Sequence, residues 1–110
     1  MKKVTQSGFD VHFEAIIKKD PKLAKEYSNQ FAQLPLPTQL AIMRRRQWLS
    51  QKALAKKLKT KQPHIARMER SGYDPKLSSV MNQARALHCH LLAVPDDILS
   101  KVAQLMAARR

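Results

Sequence analysis

Glycine is nearly missing from this chain: there are two, Gly8 and Gly72, in 110 residues. Aromatic residues are scarce as well, at 5%. An all-β fold draws on turn glycines and on aromatic and β-branched residues, so both shortages argue against one. A single cysteine, Cys89, excludes an internal disulfide and suits a reducing cytoplasm. No apolar run approaches the roughly 18–20 residues of a membrane span, so no membrane partner is expected. No apolar signal-peptide core follows Lys2-Lys3. No Ser/His/Asp, Cys/His or carboxylate constellation can be assembled, because His12, His64, His88 and His90 fall at unrelated places. An enzyme is therefore not expected. His88-Cys89-His90 has the residue types of a metal site, but neighbours one and two apart do not share a helix face. No fourth ligand is evident, so neither a metal nor a cofactor is expected.

What is abundant favours helix. Ala, Leu, Gln, Lys and Arg dominate, and 44% of the chain is hydrophobic. The fold class reads as all-α, one small domain with an arm or tail. The net charge is +13, which attracts polyanions, and a nucleic acid is the leading candidate. This charge is uneven. Residues 1–37 carry six Lys against four acids, while residues 38–110 carry fifteen Lys/Arg against four acids. The polyanion should meet the second part.

Pro35 and Pro37 mark residues 34–37 as a linker closing an N-terminal arm, 1–37. Within the arm, Phe9, Phe13, Ile16 and Ile17 fall on one helical face. Asp20-Pro21 fits an N-cap and first helical position, and Leu23, Tyr27, Phe31 and Leu34 repeat behind it. These stripes either dock on the rest of the chain or bind a partner.

Beyond the linker, helices are expected at about 38–47, 51–58, 62–70, 77–88 and 97–108. Thr38, Ser50 and Asp96 are their candidate caps. Leu40, Met43, Leu54, Ala55, Leu58, Ile65, Met68, Leu77, Val80, Met81, Ala84 and Leu87 are the candidate core. Trp48 is expected to plug it beside Leu49, with Arg44-Arg45-Arg46 largely outward. The bland reading of that triple Arg is a solvated face; the functional one is DNA contact.

Two short helices joined by Lys59-Thr60-Lys61 describe a helix-turn-helix. The stretch Leu49-Ser50-Gln51-Lys52-Ala53-Leu54-Ala55, followed by Gln62-Pro63-His64-Ile65-Ala66-Arg67-Met68-Glu69 and then Asp74-Pro75, resembles the XRE/Cro family of phage-repressor-like proteins. The resemblance covers about residues 40–92 of a domain placed at 38–95. It departs from the family at Lys59 and Ser71, where glycine is usual, and at Lys61, where a capping Ser or Thr is common.

The resemblance implies a cytoplasmic, nucleoid-associated transcriptional repressor that binds double-stranded operator DNA as a homodimer. Gln62, Pro63, His64 and Arg67 would contact bases. Arg67 suits guanine and Gln62 suits adenine. Gln51, Lys56, Lys57, Lys59, Lys61 and Arg70 would meet phosphates. Gln51 has a second option, bracing the recognition helix. Glu69 matches the family's internal glutamate, which braces the fold. Dimerisation would use the C-terminal helix within 96–110 through Ile98, Val102, Leu105 and Met106, unless these pack within the chain.

Small size, the arm and the segment 18–30 also resemble a HigA-type antitoxin. That resemblance implies neutralisation of a RelE/HigB-like mRNA-cleaving toxin and repression of the module's own promoter. The toxin-binding residues would be Phe9, Phe13, Ile16, Ile17, Leu23, Tyr27 and Phe31. The alternatives are a stand-alone regulator, or an adaptor that binds only protein.

Overall fold

A computed structural model describes residues 19–70 and 72–107. The described residues are all-helical and contain no strand. In chain order the helices are α1 (Pro21–Gln33), α2 (Leu36–Arg46), α3 (Gln51–Lys57), α4 (Gln62–Met68), α5 (Leu77–Ala86), α6 (Asp96–Leu99) and α7 (Val102–Ala107). The chain forms two compact units. One is Pro35–Leu92; the other joins the residues up to Leu34 with those from Ala93 onward.

The Pro35–Leu92 unit holds α2 to α5 around a core of Leu40, Leu54, Ala55, Ile65, Val80, Ala84 and Leu87. Leu49, Leu58 and Leu91 close it from the sides. Ala55 is small because α3 and α4 pack closely there, and both Ala55 and Ile65 are buried. Ser50 caps α3 as expected, its hydroxyl accepting the Ala53 N–H at 3.0 Å.

Several expectations are corrected here. Helix α2 begins at Leu36, so Pro37 lies in its first turn and Thr38 is not its cap. Proline is tolerated there because first-turn N–H groups have no partner inside the helix. Arg44 and Arg46 are buried, at 7% and 6% exposure, and only Arg45 of the triplet faces solvent. On α5, Leu77 and Met81 are exposed, while Gln83 occupies the core face with Val80 and Ala84. Trp48 does not plug the core; it is 65% exposed.

Three helices in this unit end alike. After α2, the N–H of Trp48 donates to Arg45 O (3.0 Å) and that of Leu49 to Arg44 O (3.2 Å). After α3, Lys59 donates to Lys56 O and Thr60 to Ala55 O; after α5, His88 donates to Arg85 O and Cys89 to Ala84 O. Each pair is a Schellman motif, whose reversing residue is left-handed and usually glycine. Here Trp48, Lys59 and His88 hold φ of 56°, 55° and 58°.

In the other unit, Asp20 caps α1 as expected, accepting the N–H of Lys22 and Leu23, with Pro21 opening the helix. Ala24 of α1 and Ala103 of α7 are buried together, with Tyr27 and Met106 against them. Buried Ser28 joins the elements: its hydroxyl shares its one proton between Ala24 O (3.0 Å) and Ser100 O (3.3 Å) and accepts the Ala103 N–H (2.8 Å). The single C-terminal helix expected over 97–108 is two helices, broken at Ser100-Lys101. Pro95, not Asp96, is the cap of α6, and it makes no side-chain cap bond.

Candidate nucleic-acid interface

The turn between α3 and α4 is built without glycine. Lys59 takes the left-handed position, and Lys61 caps α4 through backbone geometry alone, without a side-chain bond. Pro63 sits in the first turn of α4, where its missing N–H is not needed. Gln62, Pro63 and Arg67 are exposed and His64 is half-buried. They decorate the side of α4 left open by Ile65 and Met68, which are buried. Lys56, Lys57, Lys59, Lys61 and Arg70 are exposed around them, and Gln51 is half-buried.

A chain of polar contacts fixes this arrangement. The guanidinium of Arg44, on α2, donates from Nε to Glu69 Oε2 (2.7 Å) and from Nη2 to Glu69 Oε1 (3.0 Å). Its Nη1 donates to the carbonyl of Leu49 at 2.7 Å. Both partners are largely withdrawn from water, with side chains 8% and 5% exposed. Glu69 Oε1 accepts in addition from Gln51 Nε2 at 2.9 Å. Gln51 Oε1 then accepts from Gln62 Nε2 at 2.7 Å. The run leads from the buried end of α2 to the exposed start of α4. Glu69 therefore braces the fold, as its position suggested. Of the two options for Gln51, the brace is the one made here. Arg44 was not foreseen in this part, although the sequence held a signal. Glu69 is the sole acid between residues 38 and 73, and a lone acid among so many cations calls for a partner.

Residues 40–94, half of the chain, match the helix-turn-helix family, of the XRE type. The chain belongs to this family. As a helix-turn-helix protein it binds DNA sequence-specifically and regulates transcription. No curated protein and no solved structure matches it. The match runs from within α2 to beyond α5 and includes the polar chain just described.

Leu23, Tyr27 and Phe31 are half-buried positions of α1 in the second unit. Phe9, Phe13, Ile16 and Ile17 lie outside the described residues. Of the candidate dimerisation residues, Met106 packs on Ala24 and Ala103 and Val102 is half-buried, whereas Ile98 and Leu105 are exposed. No helix among the described residues is long and apolar enough to cross a membrane.

Proposed function

We propose that this helix-turn-helix protein represses transcription by laying α4 in the major groove of an operator. The observation that carries this reading is the bond from Gln62 Nε2 to Gln51 Oε1. It spends one N–H of the Gln62 amide and leaves one N–H and Oε1. Those two groups match N7 and the N6 amino group of adenine. Arg67, exposed five residues further on, offers a planar fork for guanine O6 and N7. Pro63 and His64 complete the base-facing set. Lys56, Lys57, Lys59, Lys61 and Arg70 meet phosphates and set affinity, and the second Nε2–H of Gln51 reaches another. Two copies would bind a two-fold symmetric site, with exposed Ile98 and Leu105 available to pair them.

Within this reading the protein is an antitoxin. Its N-terminal segment neutralises a RelE/HigB-like mRNA-cleaving toxin, and the repressed promoter is its own. The Phe9, Phe13, Ile16, Ile17 stripe supports this, because an apolar helical face seeks a partner. The test is capture of a small toxin-like protein from the native host by the full chain. Replacing Phe9, Phe13 and Ile16 with Ser should abolish capture and leave duplex binding intact. A stand-alone repressor is the second reading. It is favoured by the Ser28 contacts, through which α1 packs within this chain. Duplex binding without any captured protein would select it.

A further inference from the structure

The chain's one tryptophan sits largely in solvent. At φ 56° Trp48 fills a glycine slot, and a left-handed non-glycine residue costs about 1–2 kcal/mol. The other two such slots hold Lys59 and His88, whose polar side chains belong in water. Trp48 leaves 65% of the largest apolar side chain in solvent. A left-handed backbone held under an exposed side chain points to a contact outside the chain.

Its placement indicates which contact. The backbone around it is locked by the two Schellman bonds and by Arg44 Nη1 on the Leu49 carbonyl, so the ring stands on a rigid mount. Gln51, which braces Gln62 at the start of α4, is three residues further on, within about 10 Å along the chain. Arg45, three residues before it, and Lys52, four after, are exposed cations. Indole combines an apolar face with one N–H donor. Among the described residues that N–H makes no hydrogen bond. We propose that Trp48 is a DNA-backbone contact at the rim of the α3–α4 interface, its ring on a deoxyribose and Nε1–H donating to a phosphate oxygen. This rests on α4 docking in the groove, and it lengthens the footprint beyond the helix-turn-helix itself.

Because the chain has a single tryptophan, its emission reports this site alone. The full chain is titrated with a fluorescein-labelled duplex recovered by in vitro selection, following anisotropy for binding and acrylamide quenching for access to Trp48. Saturating duplex should reduce quenching severalfold, in step with anisotropy. Trp48→Gly should weaken binding about five- to tenfold, the worth of one hydrogen bond with its packing, while its thermal midpoint does not fall. Opposite effects on binding and stability are what a purely structural role would not produce. If the duplex binds while quenching and Trp48→Gly affinity stay as they were, the contact is overturned and the docking of α4 stands. If the wild type binds no duplex, both fall. Protection by a purified protein partner in place of the duplex overturns the contact as well.

Discussion

At the scale of single residues, the buried Arg44–Glu69 pair is the fixed point of the helix-turn-helix. It is doubly bonded, lies out of water, and joins α2 to the end of α4. Removing one partner would leave the other charge buried and unpaired. Glu69→Ala is expected to destabilise by about 3–5 kcal/mol in chemical denaturation, far more than an exposed pair would. A loss under 1 kcal/mol would show that the pair is not holding the fold. Lys59 carries the opposite expectation. Lys59→Gly relieves a left-handed backbone and should raise stability by about 1 kcal/mol, read from the same denaturation curves. Glu69 was legible in the sequence through its match to the family's internal glutamate. Arg44 was not, since three consecutive arginines look like a solvated face and only the helix phase decides which of them turns inward. Trp48 misled for a related reason. Tryptophan is usually buried, and its left-handed slot shows in a sequence only when glycine fills it.

Among the elements, helix starts were read best where a side chain does the capping. Asp20 before Pro21 and Ser50 before Gln51 both announced themselves, and both hydrogen-bond as the residue types require. Starts made by backbone geometry did not: α2 opens behind Pro35 and α6 behind Pro95, with no side-chain bond in either case. The packing of α1 on the C-terminal segment was also out of reach, because it depends on Ser28 meeting residues more than seventy positions away. That contact can be tested. Ser28→Ala leaves the Ala103 N–H without its acceptor, a loss of about 1–3 kcal/mol for a buried donor. Amide exchange at Ala103 should accelerate in that variant while exchange at Ile65, in the other unit, is unchanged. Equal acceleration at both would mean that the two units unfold as one.

For the whole molecule, charge and recognition divide between different residues in the proposed reading. The net charge of +13 is concentrated after residue 37, where the helix-turn-helix lies. In the proposed docking its exposed lysines would supply affinity that falls with salt for any sequence. Lys57→Ala should weaken operator and scrambled duplex alike and flatten the salt slope by about 1 unit. The family, the all-α class and the exposure of Gln62, Pro63 and Arg67 were legible, because a helix-turn-helix writes its core and its turn into a short continuous stretch. The division of the rest into a unit built from both ends was not.

The central claim is that α4 reads bases, and the most direct test is in vitro selection of duplexes with the wild type and with Arg67→Ala. The account predicts a defined sequence preference for the wild type. In the variant, discrimination should be lost at one base pair, worth about 1–3 kcal/mol, and kept at the others. A wild type that binds all duplexes equally, or an Arg67→Ala variant with an unaltered preference, would contradict it.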